Sequence, residues 1–241
     1  MPPPIDRLPI LTSLRSLIGQ SRWVVFLHPE RLRLAVAQWG DSAGAQGGWL
    51  HPCHFFDGSE ETVRWIFSLD VLNHCFWPDV GKPPWTVNYQ GQKHSGYWGL
   101  AASLKRAVER GFRITEPEFL VELSDTDLRE ILSGEGEIPL FEERLSNLRE
   151  AGRVLLSSWN GDIVHLLEET RGSAVKTVQR VVSSFPSFQD EAQYQGQTVF
   201  FWKRAQLFVA DLHAAFSGQG WGRYDDIHEL TAFADYKLPG A

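Results

Sequence analysis

In the stretch LTAFADYKLP, Leu230 to Pro239, a carboxylate at Asp235 stands between Ala-Phe-Ala and a Tyr-Lys pair. A buried carboxylate is costly unless paired or hydrogen-bonded, so such an Asp is a cap, half of an ion pair, or a reacting group. Thr231 is placed to cap a helix beginning near Ala232. The first turns of that helix would hold Asp235, where the helix dipole favours the ionised form. An ionised carboxylate fixed in an apolar wall stabilises a neighbouring carbocation, the species formed as a glycosidic bond breaks.

Three further groupings have residue types suited to chemistry. Lys203 and Arg204 open a helical pattern, where the dipole disfavours cations. They are either two surface bases or a seat for an anion over the helix start. Asn73-His74-Cys75-Phe76-Trp77 combines an amide that can both donate to and accept from a ring edge with two rings that can sandwich a planar base. The alternative is a helix end with its aromatics turned into the core. FPSFQD, Phe185 to Asp190, reads as a loop with an aromatic wall on each side of Ser187.

Composition narrows the classes. Ten Trp and fifteen Phe exceed what a core of this size requires, and they suit a site for a flat ring. The net charge of −7 gives no basic field to neutralise a nucleic-acid backbone, so no nucleic-acid partner is expected. Cys53 and Cys75 have no metal spacing, and the eight His form neither HxxxH nor HxH. Neither a metal nor another cofactor is expected, and the thiols read as reduced, in a cytoplasmic protein. No signal peptide or membrane-length apolar run is visible, so no membrane partner is expected.

Helical periodicity dominates the elements that must position these residues. LTSLRSLIGQ, PERLRLAVAQW, SEETVRWIFSLDVL, GYWGLAASLKRAVERG and the segment after Lys203 each carry an apolar face. In PERLRLAVAQW that face is Leu32, Leu34, Ala35 and Trp39, and Gly40 to Gly48 reads as a loop. Ser59 begins the third helix, with Asp70 close to its apolar face of Val63, Ile66, Phe67 and Val71. Two short helices and two or three longer ones fill residues 115–184. Thr86 to Tyr89 and the segment around Tyr194-Gln-Gly-Gln197 supply short β pieces. The expected fold is mainly α with a small β element, as one domain over residues 1–241 with a helical N-terminal third packed on the remainder.

Taken in order, DxLNxxFW, GYWGL, PLFEERLSNLREAG, FPSFQD, FFWKRAQLFVADLHAAF and DDIHELTAFADYKLP resemble the queuosine salvage protein family from about Trp49 to Pro239. The resemblance implies metal-independent N-glycosidic hydrolysis of queuosine 5'-monophosphate, releasing queuine for salvage into tRNA modification. It also implies a fold similar to the helix-hairpin-helix DNA glycosylases. By that likeness Asp235 and Lys203 are the catalytic pair. His51, Asn73, Phe76, Trp77, Arg204, Phe233 and Tyr236 contact the substrate. A general acid is open between Asp190 and Asp226. Two features differ from the family pattern: Lys237 stands where most members have Arg, and members continue past the segment that ends here in LPGA. A non-catalytic queuine or queuosine binder and a nucleic-acid base glycosylase are the alternative readings.

Overall fold

The computed structural model describes residues 7–15, 17, 28–39 and 49–234. Ten helices and two hairpins occur among them: α1 (Ile10–Arg15), α2 (Pro29–Trp39), α3 (Glu60–Leu72), β1 (Thr86–Tyr89), β2 (Gln92–Ser95), α4 (Gly96–Glu109), α5 (Pro117–Glu122), α6 (Asp125–Ile131), α7 (Phe141–Ser158), α8 (Ile163–Thr170), α9 (Ala174–Ser184), β3 (Glu191–Tyr194), β4 (Gln197–Phe200) and α10 (Lys203–Ala215). The fold is mainly α, as the periodicity predicts.

The centre of the molecule is α3. Ser59 begins it by accepting from the Glu61 backbone N–H at 3.0 Å, satisfying one of the donors a helix start leaves unpaired. From Thr62 to Leu72 all residues except Arg64 are buried, because α10, α7, α8 and α4 close around it. A helix apolar nearly all round belongs inside a fold. At its middle, the Phe67 ring meets Phe185 at 5.0 Å, Phe208 at 5.6 Å and Phe188 at 5.9 Å. Phe185 and Phe188 are fully buried. The expected aromatic walls of the FPSFQD segment are therefore core, and they fasten a short 3₁₀ turn (Pro186–Phe188) beneath α10.

Both hairpins are antiparallel and two-stranded, with Gln90-Gly91 and Gln195-Gly196 at their turns and φ positive at all four residues. The first ends directly in α4, placing Tyr97 and Trp98 on the opening turn of that helix. The second ends in α10 through Trp202, whose left-handed backbone (φ 48) turns the chain into the helix. Ser13 of α1 ties the N-terminal segment to this hairpin, its hydroxyl accepting from the Phe200 N–H at 3.2 Å.

Some expectations need correction. Thr231 to Ala234 is irregular rather than the start of a helix, and the Thr231 N–H donates to Gln206 Oε1 at 2.8 Å. Leu34 is 69% exposed and so joins no apolar face. The side chains of Leu32, Ala35 and Trp39, the Gly40–Gly48 loop, and Asp235, Tyr236 and Lys237 lie outside the described residues.

Close packing of α7 on α5 depends on Gly152. A Cβ there would sit 2.7 Å from the Pro117 carbonyl oxygen and 3.0 Å from both Leu120 Cβ and Val121 Cγ2. Two backbone-fixed neighbours cannot yield cheaply, so Gly152→Ala is expected to destabilise by about 1–3 kcal/mol despite its better helix propensity. Urea unfolding midpoints of the two proteins check this. An unchanged midpoint would mean that the two helices are free to separate.

Candidate active site

The two cations that open α10 separate in space. Arg204 turns inward, donating from Nη1 to the Val71 carbonyl at 2.6 Å and from Nη2 to the Ser187 carbonyl, with its guanidinium 4.9 Å from the Phe188 ring centre. It clamps the start of α10 to the end of α3 and to the 3₁₀ turn. Lys203, one residue earlier, is half-buried.

The end of α3 is held by a second buried arginine. Arg144 of α7 is fully buried and donates to the carbonyls of Leu72, His74, Cys75 and Pro139. These include carbonyls that the helix end leaves unpaired. Phe76 lies 5.3 Å from that guanidinium, a cation–π contact. Trp77, 51% exposed, lines a cleft of about 610 Å³ with Cys75, Pro78, Ile138, Pro139 and Leu140, a set that includes neither Asn73 nor Lys203.

Asn73 is buried and its amide donates to Asp70 Oδ1 at 3.0 Å. Asp70 is fully buried, and its Oδ2 has no hydrogen-bond partner. Across the α3–α10 contact, the Oδ2 of Asp211 is likewise buried and unpartnered, although Asp211 as a whole keeps partial exposure. Burial pushes the Asp211 carboxyl up to about 7. Burial, and then the Asp211 charge, push Asp70 well above the carboxylate range, only partly relieved by the Asn73 amide and Arg204. Around neutral pH the pair therefore retains a proton.

A carboxyl whose pKa rises on folding favours the native state below its unfolded pKa, and that contribution is lost as pH rises through the folded value. For Asp211 the window runs from 3.8 to about 7. Asp211→Asn is thus expected to raise stability at pH 8 more than at pH 4. Thermal melts of the two proteins across that range check it, and an equal shift at every pH would contradict it. His54 and His74, which burial lowers to about 4 and about 3, act in the other direction, removing stability as pH falls below 6.5.

An imidazole and indole wall forms beside this pair. His54 stacks on Trp49 at 4.0 Å, and its Nδ1–H donates to the Trp49 carbonyl at 2.7 Å. Its Nε2 is then an acceptor, and the Tyr97 hydroxyl donates to it at 2.9 Å. Burial, Asp211 and Asp70, in that order, raise the Tyr97 phenol, keeping its proton in place and locating its hydroxyl within the field of the acidic pair. His51 lies 4.0 Å from Trp98 and accepts the Cys53 N–H on Nδ1 at 3.2 Å, which leaves Nε2–H as the donor of the neutral ring.

Asp226 caps α9, accepting from the Ala174 N–H at 2.5 Å and the Ser173 hydroxyl at 2.7 Å. That role explains its carboxylate without catalysis. Asp190 is exposed, and its backbone carbonyl accepts from the N–H groups of Phe201 and Trp202. Phe233 is half-buried in the irregular segment after Thr231. Asp70, Asp211, His54 and Tyr97 were not singled out as site residues from sequence. A carboxylate at i+3 and i+7 of apolar helical stripes (Val63, Ile66, Phe67, Asp70; Phe208, Asp211, Leu212) is the signal that marks the two acids.

Among the described residues, no group of three or more His, Cys, Asp and Glu side chains is arranged to hold a metal ion. Nor is any helix among the described residues long and apolar enough to cross a membrane. A family model described as queuosine salvage protein matches residues 53–241. The chain is 43% identical over 243 residues to a queuosine 5'-phosphate N-glycosylase/hydrolase of Sphaerobacter thermophilus, covering 99% of this chain and 73% of that protein. It is 41% identical over 191 residues to the protein of that name in Nematostella vectensis, covering 78% of this chain and 55% of the relative. The Mus musculus protein of that name is 34% identical over 223 residues, covering 92% and 64%. The chain thus spans between about half and three quarters of the length of these relatives.

Proposed function

The chain belongs to the queuosine salvage protein family, and from that premise we propose that it hydrolyses the N-glycosidic bond of queuosine 5'-monophosphate, releasing queuine and ribose 5-phosphate. The observation that carries this reading is the family match over residues 53–241, which runs through the α10 segment and the LTAFADYKLP segment together.

In this reading Asp235 faces the sugar and stabilises the positive charge that develops as the bond breaks. A 7-deazapurine has carbon at position 7 and cannot be protonated there, so electrostatic support of the sugar cation carries more of the barrier. Lys203 serves the chemistry or the 5'-phosphate. Arg204 acts at one remove, since its guanidinium bonds the Val71 and Ser187 carbonyls that anchor α10. His51, through Nε2–H, and Phe233 and Tyr236 border the ligand. Asn73 holds Asp70 in place, Phe76 acts at one remove through its contact with Arg144, and Trp77 borders the neighbouring cleft. We read the α-rich scaffold as one domain similar to the helix-hairpin-helix glycosylases, acting in the cytoplasm on a small nucleotide rather than on nucleic acid or at a membrane.

The test offers queuosine 5'-monophosphate, the queuosine nucleoside and queuosine-containing tRNA in parallel, with free queuine quantified by chromatography and mass detection. Release is expected fastest from the monophosphate and absent from intact tRNA. Binding of the nucleotide without release would make the protein a carrier. Release from tRNA would make it a nucleic-acid glycosylase.

A further inference from the structure

One turn beyond Lys203 on α10 stands Gln206, a polar side chain only 1% exposed. Burying an amide is costly unless its donor and its acceptor both find partners. Gln206 uses both. Its Nε2–H donates to the Phe201 carbonyl at 3.1 Å, and its Oε1 accepts from the Thr231 N–H at 2.8 Å and from the Thr231 hydroxyl at 3.1 Å. One amide thereby joins the turn that enters α10, the helix itself and the irregular segment 231–234. An apolar side chain would pack here as well. What a fully satisfied polar group adds is register, because Thr231 can then dock at one place along the helix.

The chain reaches Thr231 already fixed on its other side. Asp226 caps α9 through Ala174 and Ser173, and Leu230 packs on the core. Half-buried Phe233 follows two residues after Thr231, and Asp235 follows four residues after it. Four residues of chain span at most roughly 14 Å, so fixing Thr231 confines where Asp235 can stand. On a helix, side chains three apart are neighbours, with about 5–6 Å between Cβ atoms, so Gln206 and Lys203 lie on one side of the α10 start.

We propose that Gln206 is a positioning residue for the hydrolysis: by holding Thr231 against α10, it sets the register at which the Asp235 carboxylate meets the sugar beside Lys203. The inference rests on the proposed function. Gln206 itself touches no reacting atom. A misplacement of about 1 Å at a reacting group costs on the order of 10²-fold in rate. Nucleotide binding is spread over many contacts and changes little. The role needs an amide, which offers a donor and an acceptor together. A carboxylate would keep acceptors for Thr231 but set an oxygen against the Phe201 carbonyl.

The experiment measures kcat and KM for queuine release from queuosine 5'-monophosphate in wild type, Gln206→Met, Thr231→Val and Thr231→Ser, each checked for native circular dichroism. Gln206→Met is expected to lower kcat on the order of 10²-fold with KM little changed. Thr231→Val removes one hydroxyl bond and leaves the buried amide in place, so it decides the matter should Gln206→Met not fold. Its kcat should fall about 2- to 10-fold, and Thr231→Ser should restore it. In the Asp235→Asn background, Gln206→Met should cost about 2-fold or less, since a tie that acts through Asp235 has nothing left to place. A merely structural role would cost as much there as in wild type. Equal kcat in Gln206→Met and wild type, equal rates in Thr231→Val and Thr231→Ser, or a fully multiplicative loss in the double variant overturns the proposal. A wild type that releases no queuine overturns the hydrolase, and the positioning role with it. A wild type that releases queuine beside an equally active Gln206→Met overturns the positioning role alone.

Discussion

Asp235→Asn is expected to lower kcat for queuine release by about 10²–10³-fold or more, with KM little changed, the range seen when one preorganised electrostatic contact to a transition state is removed. Asparagine keeps the size and hydrogen-bonding reach of the side chain but not its charge. The substrate itself is not cationic at the sugar, so ground-state binding has little to lose. The loss falls on the step in which C1' becomes positive, and it appears in kcat rather than KM. Lys203→Met separates the two roles open to that cation. A rise confined to KM, steeper for the monophosphate than for the nucleoside, marks a phosphate contact, and a fall in kcat for both marks the chemistry. Asp235→Asn activity within a few-fold of wild type would remove this carboxylate from the reaction.

The second large effect is on stability. Arg144→Met is expected to destabilise by about 3–5 kcal/mol, since breaking a buried charged network leaves its partners unsatisfied. Burial lowers the Arg144 pKa to about 10, so the guanidinium remains charged at neutral pH. The carbonyls of Leu72, His74, Cys75 and Pro139 all depend on it. Methionine fills much of the volume but satisfies none of them. Lysine restores a charge but not the planar fork, and should recover only part of the loss. For a chain of this size the methionine variant should melt about 10 °C lower. Because the same carbonyls set the path of Asn73 and Phe76, residual activity at low temperature should fall as well. A melting temperature unchanged within 2 °C or so would mean that the end of α3 is held by something other than this arginine.

Periodic apolar faces made most helices and both hairpins legible. The apolar positions of α3, α4 and α10 repeat at helical spacing, and Gln-Gly turns mark both hairpins. What could not be read was direction. Lys203 and Arg204 are adjacent and alike in charge, and nothing in the sequence marks Arg204 as the one whose guanidinium is spent on the Val71 and Ser187 carbonyls. Phe185 and Phe188 flank a proline in a segment that reads as a loop, and only the tertiary contact with Phe67 shows them to be interior. The His54–Tyr97 bond joins residues 43 apart in sequence, a pairing that no local pattern encodes. Asp70 reads from sequence as an acid near an apolar face and Asp211 goes unremarked, because their relation follows from the packing of α3 on α10. The helix expected from Ala232 does not begin there, because Thr231 satisfies its N–H on Gln206 of α10 instead of capping a turn of its own.

The most direct test of the central claim is a turnover count: free queuine released per protein molecule from excess queuosine 5'-monophosphate, followed to completion by chromatography with mass detection. The account predicts many turnovers, with ribose 5-phosphate formed in equal amount. Nucleotide retained intact at one equivalent per chain, with no queuine released, would contradict it.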